Sequence, residues 1–338
     1  MIRFGVIGYG YWGPNVVRNI HNTAGAELVS VCDRRPAVLA RAKQVYPYVN
    51  ITTDPCEVIT SPAIDAVAIV TPVGTHYDLA KEALRNGKHV FVEKPFTASS
   101  EQAEELIDLA SRKNLTIMVD HTFLFTGAVR KIRQLVDERV IGNLFYYDSL
   151  RVNLGLFQHD VSVIWDLAPH DLSIMDHVIQ DKPEAIVATG ERHLNGVEDM
   201  AFITVYFPNR VIAHINVNWL SPVKVRTTLI GGEKKMLVWN DLEADEKIKV
   251  YDKGVHLNNH GDGDSDSLRE LLISYRSGDM WAPQVEQVEA LHAEFGYFVD
   301  CVANSKKPFN DGEAGLRIVQ MLEAAERSVR NRGALIEL

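Results

Sequence analysis

The sequence predicts an α/β protein in which a doubly wound, parallel N-terminal sheet is followed by a separate α+β domain. Two patterns carry this expectation. Across the first 120 residues, short apolar runs alternate with stretches of helical length and period. After Asp120 the strand-like runs crowd together and are joined by tight turns instead of helices. A chain of 338 residues is long enough for two domains, each with its own core. The expected division is 1–120 and 121–338.

The first domain reads element by element. Ile2–Ile7 is an apolar run closed by glycine, as in a strand buried on both faces. Helical pattern follows over Trp12–His21, strand over Glu27–Cys32, and helix over Arg35–Tyr46. Ala66–Val70 is a buried strand and Tyr77–Asn86 a helix. His89–Val92, Ser99–Lys113 and Leu115–Val119 complete the series as strand, helix and strand. Strands joined through helices of this length imply right-handed crossovers and a parallel sheet.

Beyond Asp120 a helix over Ala128–Arg139 leads through Gly142 into a long strand, Phe145–Leu154. A helix is expected near Pro169–Ile179. Strand-like runs then follow at Ala185–Arg192, Ala201–Phe207, Val211–Asn218, Lys224–Ile230 and Lys235–Trp239. Turns such as Pro208-Asn209 and Gly231-Gly232 make these an antiparallel or mixed sheet. Asn258–Ser267, rich in Gly, Asp and Ser, reads as a loop. Two helices, near Val285–Asn304 and Glu313–Asn331, end the chain.

Composition excludes several classes. The formal net charge of −10 disfavours nucleic-acid binding, which needs a concentrated basic face. No apolar run reaches the roughly 18 residues that span a bilayer, so no membrane partner is expected. The N-terminus reads directly as a strand, without a basic-then-apolar secretion signal. Three scattered cysteines, Cys32, Cys56 and Cys301, show neither a disulfide framework nor metal spacing. The expected compartment is a reducing cytoplasm, with no bound metal.

The first strand runs into Gly8-Tyr9-Gly10-Tyr11-Trp12-Gly13, the pattern G-x-G-x-x-G. The first glycine permits the tight turn and the second lets backbone approach a pyrophosphate. The third lets helix pack close to strand, and the diphosphate meets free N–H groups at the helix start. With 22 glycines a chance match is conceivable, and a glycine turn without a ligand is the competing reading. The context favours a dinucleotide-binding Rossmann fold, because Asp33 lies at the end of the second strand, twenty residues past Gly13. Its carboxylate suits adenosine ribose hydroxyls and so favours NAD over NADP. Arg34 beside it is placed to face a 2′-phosphate instead.

Two further clusters carry chemistry. Glu93 and Lys94 fall at the carboxyl end of a parallel strand, where open α/β sheets bind ligands. A lysine amid apolar neighbours loses solvation, and its ammonium can polarise a carbonyl or orient a hydroxyl. A solvated strand-end lysine is the competing reading. The Lys94-Pro95 bond is expected trans by base rate. In Trp165-Asp166-Leu167-Ala168-Pro169-His170-Asp171 a helix is expected to open, with Asp166 as its cap and Pro169 in the first turn. Asp166 and His170 then share a face. A histidine is suited to taking a hydroxyl proton, and a nearby carboxylate would orient it and favour its charged form. Capping plus a structurally satisfied histidine is the alternative.

Taken in order, GYGYWG, the strand-two aspartate, EKPF and WDLAPHD resemble the glucose–fructose oxidoreductase / inositol 2-dehydrogenase (Gfo/Idh/MocA) family of NAD(P)-dependent sugar and cyclitol oxidoreductases. The resemblance spans nearly the whole chain. Thr71-Pro72-Val73-Gly74-Thr75-His76 is similar to the family's turn beside the nicotinamide, implying cofactor contacts from Thr71, Pro72 and His76. Pro308–Gly315 is similar to its entry to the last helix. The family's catalytic lysine falls on Lys94 and its Asp/His pair on Asp166 and His170. The resemblance also implies a C-terminal domain with a large open sheet, one face forming the site and the other often pairing copies into a homodimer or homotetramer.

Within the family, Asp148–Asp171 and Trp281-Ala282-Pro283 resemble members that oxidise nucleotide-linked sugars at C3 for bacterial cell-surface glycans or lipid A, such as the UDP-N-acetylglucosamine and UDP-N-acetylglucosaminuronic acid 3-dehydrogenases. This implies a nucleotide-sugar substrate, with Arg151, Asn153, Trp165 and His170 near it. Arg151 and Asn153 are expected to meet a diphosphate or an acetamido group, or else to be surface residues of the sheet. The mechanism expected is hydride transfer to nicotinamide, with His170 as general base, Asp166 orienting it and Lys94 stabilising charge on the same oxygen; lysine and histidine exchange roles in the alternative. Two other functions stand beside this one: oxidation of a free sugar or inositol, and a non-catalytic NAD-sensing regulator. The joint presence of Lys94, Asp166 and His170 argues against a regulator, which needs no proton relay.

Overall fold

In the computed structural model the described residues are 1–155, 161–194, 196–258 and 272–338. The expected loop Asn258–Ser267 lies outside them except for Asn258, which ends a strand.

The N-terminal part runs β1 (Ile2–Ile7), α1 (Gly13–Asn22), β2 (Ala26–Cys32), α2 (Pro36–Val45), β3 (Asn50–Thr52), α3 (Pro55–Thr60), β4 (Ala66–Ile69), α4 (His76–Arg85), β5 (His89–Glu93), α5 (Ser100–Lys113) and β6 (Ile117–Asp120). The strands form one parallel sheet in the order β3-β2-β1-β4-β5-β6. Every residue of β4 and β6 is buried, as two covered faces require. The order reverses between β1 and β4, so a crevice opens outside their carboxyl ends. The unanticipated β3 and α3 are only three and six residues long, too brief for periodicity to declare.

The rest of the chain runs α6 (Gly127–Asp137), β7 (Leu144–Val152), α7 (Val163–Val178), β8 (Ala185–Glu191), β9 (Met200–Tyr206), β10 (Ile212–Asn218), β11 (Val225–Gly232), β12 (Met236–Asn240), β13 (Ile248–Tyr251), β14 (Gly254–Asn258), β15 (Leu272–Arg276), β16 (Met280–Trp281), α8 (Ala290–Ala303), α9 (Gly312–Arg330) and β17 (Ile336–Glu337). The described strands build a nine-stranded sheet, β16-β13-β12-β11-β7-β10-β9-β8-β17, and a separate hairpin of β14 and β15. In the large sheet the β7–β10 pair is parallel and the other pairs antiparallel. Alternation sets its faces. Ala201, Ile203 and Val205 of β9 and Ala213, Ile215 and Val217 of β10 are buried in one core with Leu172, Met175, Val319 and Leu322 of α7 and α9.

Helix α8 returns to the first sheet. Phe295 packs on Phe91 with ring centroids 4.4 Å apart, and Phe298 lies 5.8 Å from Phe4. Leu291, Phe295, Phe298 and Cys301 are buried with Val16, Val17 and Ile20 of α1. Removing a buried phenylalanine side chain of this kind costs about 3–5 kcal/mol. A helix far along the chain therefore completes the core of the nucleotide-binding half.

One boundary matters for the chemistry. Helix α7 starts at Val163, six residues before the expected Pro169. Its N-cap is Ser162, so Asp166 sits inside the helix instead of capping it, and Pro169 lies in the interior. Burial explains why proline is tolerated there. Val163, Ile164, Trp165, Ala168, Leu172, Ile174 and Met175 are all buried, and that packing outweighs one lost backbone bond.

Candidate active site

The glycine turn behaves as three separate devices. Gly8 has φ +104°, and a Cβ there would fall on the Val70 carbonyl oxygen. A Cβ on Gly13 would strike the Gly8 carbonyl oxygen, which is the close helix–strand approach. A Cβ on Gly10 would meet nothing nearer than the Arg35 Nη2 at 3.8 Å, so Gly10 borders open space. Helix α1 has no side-chain cap and no acid in its first turn, leaving its N-terminus suited to a diphosphate. These features fit a dinucleotide.

Asp33 ends up nearly buried beyond β2. Its carboxylate accepts from the Tyr9 amide at 2.9 Å and from the Arg35 amide at 3.0 Å. It also accepts from Arg35 Nε at 2.9 Å and Nη2 at 3.0 Å. Burial pushes the carboxyl up, but the Arg35 bonds and the Tyr9 amide outweigh it and hold it at about 2. The arginine engaged with Asp33 is therefore Arg35, while Arg34 is exposed. Tyr9 is buried, whereas Tyr11 and Trp12 line the cleft.

A cleft of about 640 Å³ opens at the strand ends, lined by Tyr11, Trp12, Thr71, Pro72, Glu93 and Lys94 on one side. Asn153, Trp165, Asp166, His170, Trp219 and Arg226 line the other. His76 is buried behind this wall, its ring nitrogens 2.9 Å from the Pro95 carbonyl and 2.7 Å from the Thr71 carbonyl. It braces two strand-end turns and is absent from the cleft lining, unlike Thr71 and Pro72. The Lys94-Pro95 bond is cis, against the expected trans.

Lys94 Nζ donates to the Asp166 carbonyl at 2.8 Å and to its Oδ1 at 3.3 Å. Trp219 Nε1 donates to the other carboxylate oxygen at 3.2 Å. The expected Asp166–His170 pairing is thus replaced by an Asp166–Lys94 pairing. The reason lies in donors that reach Asp166 from outside the helix. Within α7 positions four apart still share a face, but the Asp166 carboxylate is already engaged by Lys94 and Trp219. His170 instead packs edge-on against Phe123, with centroids 5.0 Å apart. Burial pushes its pKa well below 6.5, and Lys94, Arg151 and Arg226 push the same way. It stands neutral at pH 7, contrary to the expectation that a carboxylate would favour its charge.

Arg151 also departs from expectation. It lies within β7, buried, with Nε 2.5 Å from Asp171 Oδ2 and Nη2 3.4 Å from Oδ1. Ser149 donates to the same carboxylate at 2.6 Å. Arg151 is consumed by Asp171 and supports the site from beneath, whereas Asn153 and Trp165 reach the cleft.

Sequence reasoning missed several participants. Asp120, at the end of β6, accepts from Trp12 Nε1 at 3.1 Å and from Thr122. Burial pushes its carboxyl up, and burial with Asp120 beside it pushes Glu294 up strongly. Glu93 is likewise pushed well up, by burial and then by Asp120. Burial thus shifts all three acids toward their neutral forms. Asp120 had a signal, an acid at the carboxyl end of a parallel strand. Trp219, Arg226 and Glu294 had none, because distant folding alone brings them in. Among the described residues no group of three or more His, Cys, Asp or Glu side chains is placed to hold a metal ion.

A diphosphate cradle set beside groups able to manage a proton is what hydride exchange with a nicotinamide requires, which makes the class a NAD-dependent oxidoreductase. Comparison with known proteins gives the family. Residues 2–121 match the model described as "Oxidoreductase family, NAD-binding Rossmann fold", and 129–238 match the "GFO/IDH/MocA C-terminal domain". The chain belongs to the Gfo/Idh/MocA oxidoreductase family, and its cofactor is NAD. It is 26% identical over 321 residues to the UDP-N-acetylglucosamine 3-dehydrogenase of Acidithiobacillus ferrooxidans, covering 94% of each chain. It is 27% identical to the scyllo-inositol 2-dehydrogenase (NAD(+)) of Bacillus subtilis, covering 98% of this chain and 94% of that one. The solved structure of an Acidithiobacillus ferrooxidans UDP-N-acetylglucosamine 3-dehydrogenase superposes with TM-score 0.81 at 24% identity, covering 98% of both chains. The last likeness shows the fold.

Proposed function

We propose that the chain oxidises a nucleotide-linked N-acetylated hexose at C3 with NAD, giving the 3-keto sugar for cell-surface glycan or lipid A assembly. The observation that carries the reading is similarity to a UDP-N-acetylglucosamine 3-dehydrogenase across 94% of both chains. The cleft supports it. Lys94, just past β5, and His170 of α7 line the cleft together with Asn153, Trp165 and Trp219.

Bound NAD supplies the carbon that accepts hydride. The protein's part is to hold the sugar and move one proton. Neutral His170 takes the C3 hydroxyl proton as general base. Lys94, fixed by Asp166, donates a hydrogen bond to the same oxygen as negative charge develops on it. Glu93, Thr71, Pro72, Tyr11 and Trp12 wall the nicotinamide side, with the glycine turn and Asp33 holding the rest of the dinucleotide. Asn153 and Trp165 contact the substrate.

The reading extends to the protein's state. Among the described residues no helix is long and apolar enough to cross a membrane. We place the enzyme in the cytoplasm as a homodimer or homotetramer. The face of the large sheet turned away from α7 and α9 exposes Phe202, Tyr206 and Ile212, and this is the surface proposed to pair.

The test is a parallel NAD-reduction assay. UDP-N-acetylglucosamine, its uronic acid, dTDP-linked sugars, free glucose and myo-inositol are compared, with the 3-keto product trapped by an amine. Preference for a UDP-linked sugar supports the reading. Equal or better turnover of a free sugar or inositol overturns it in favour of the polyol activity named for the Bacillus subtilis relative. Tight NAD binding with no polyol turnover points to a sensor.

A further inference from the structure

We infer that Arg226 is an anchor for a carboxylate on the substrate, so that the sugar oxidised is a uronate in preference to a neutral hexose. The inference rests on the sugar reading of the cleft and narrows it.

Arg226 is the second residue of β11 and pairs across the sheet with Arg151 of β7. Both guanidinium groups lie against the ring of Phe123, Arg151 at 4.5 Å and Arg226 at 5.6 Å from its centre. Like charges placed opposite each other on neighbouring strands repel and must be balanced. Arg151 is balanced by Asp171, which also takes the Ser149 hydroxyl. Arg226 is balanced far less. Its Nη1 makes a single 3.3 Å contact with Asp241, and its Nε is buried with no partner among the described residues. Buried polar groups are normally satisfied, so a guanidinium left this open beside a cleft is waiting for an acceptor.

The charge around it points the same way. Of the cleft cations, Lys94 is met by Asp166, while the acids Glu93 and Asp120 are pushed toward their neutral forms by burial. The groups that act most strongly on His170 are cations: Lys94, Arg151 and Arg226. A carboxylate arriving at Arg226 supplies the missing negative charge. The guanidinium fork suits a carboxylate, which it can hold through two parallel bonds. Both a carboxylate and the diphosphate of a sugar nucleotide suit a guanidinium, and substrates that share the diphosphate but differ at C6 distinguish them. Arg226 and His170 rest on the same ring of Phe123, so the anion bound there sits near the hydroxyl that loses its proton. On a hexuronate the acid is carried three carbons from C3.

The experiment compares UDP-N-acetylglucosamine with its uronic acid, which share a diphosphate and differ at C6. Wild type is expected to favour the uronate, and Arg226→Gln to lower the uronate-to-neutral ratio of kcat/KM by about 10- to 100-fold. Arg226→Lys, which keeps the charge but not the fork, is expected to fall between. NADH binding and circular dichroism verify that each variant folds, and Arg226→Lys decides if Arg226→Gln does not. Should neither nucleotide sugar react, glucuronate against glucose gives the same ratio. Binding of each pair to NADH-loaded protein gives it without turnover. A uronate preference lost in Arg226→Gln in that second pair upholds the anchor while the nucleotide-sugar reading falls. An equal loss for both members of a pair, or a wild-type preference for the neutral member, overturns the inference.

Discussion

Lys94 is held at two points by one residue: its Nζ lies 2.8 Å from the carbonyl oxygen of Asp166 and 3.3 Å from its carboxylate. The contact ties the end of β5 to the first turns of α7, and so joins the nucleotide-binding sheet to the second domain. Trp219 fixes the far side of the same carboxylate. The lysine is thereby prevented from swinging out to solvent, although its side chain is only partly exposed to begin with.

Replacing Lys94 should therefore remove chemistry without removing the cofactor. Lys94→Ala is expected to lower kcat by about 10²–10⁴, the usual scale for one acid–base or oxyanion-stabilising group. NADH binding, followed by fluorescence, should change little. Asp166→Asn should be milder, because the Asp166 carbonyl still accepts from Lys94. An Asp166→Asn defect as severe as Lys94→Ala would mean that the carboxylate itself handles a proton.

The pH profile tests His170. A histidine whose pKa is depressed stays neutral, and so remains a competent base, below its ordinary value of 6.5. The free-enzyme profile of kcat/KM should show no acid limb near pH 6.5 and should fall only well below it. An inflection at or above pH 6.5 that disappears in His170→Ala would show that the cationic surroundings do not govern this ring. His170→Ala should itself cost about 10²–10⁴ in kcat. Near-normal turnover would shift the role of base to Lys94.

Much of this arrangement is legible in the amino-acid order, and the exceptions share a cause. The strand ends at Gly8, Asp33 and Lys94 follow from apolar runs closed by polar or glycine residues, a local signal. The pairing of Asp166 with Lys94 does not. It depends on Lys94, just past β5, and Trp219, just past β10, being brought to Asp166 by the packing of distant elements. Arg151 reads as a polar residue at the end of a strand, yet Asp171 from the neighbouring helix takes it out of reach. Glu294 sits in a helix 174 residues past Asp120 and meets it only because α8 folds back on the first sheet. Contacts between distant segments leave no periodic trace in the sequence.

Cofactor choice rests on Asp33 and Arg35 together. The carboxylate near the ribose site should repel a 2′-phosphate, and it also holds Arg35, an arginine able to attract one. Wild type is expected to bind NAD more tightly than NADP. Asp33→Ser removes the repulsion and frees Arg35, so the preference should move toward NADP, and Arg35→Ala on that background should reverse the gain. Calorimetric titration of both oxidised cofactors gives the numbers. Tenfold tighter NADP binding by wild type would overturn the assignment.

The glycine turn separates folding from binding. At Gly8, alanine meets two obstacles: the φ of +104° disfavours any side chain, and its Cβ would fall on the Val70 carbonyl oxygen. Neither backbone can move without disturbing β1 or β4. Gly8→Ala should therefore destabilise the fold, by several kcal/mol if the local strain and clash both persist. At Gly10 the φ is unremarkable and a Cβ meets only the far end of Arg35, at 3.8 Å. Gly10→Ala should fold with a melting temperature near that of wild type. The methyl would nonetheless occupy space that the pyrophosphate needs as backbone approaches it, and NADH affinity should drop at least tenfold. Thermal melts and fluorescence titration on the two variants distinguish the effects. If Gly10→Ala binds NADH as wild type does, the diphosphate does not approach at Gly10, and the cradle must be redrawn around the N-terminus of α1 alone.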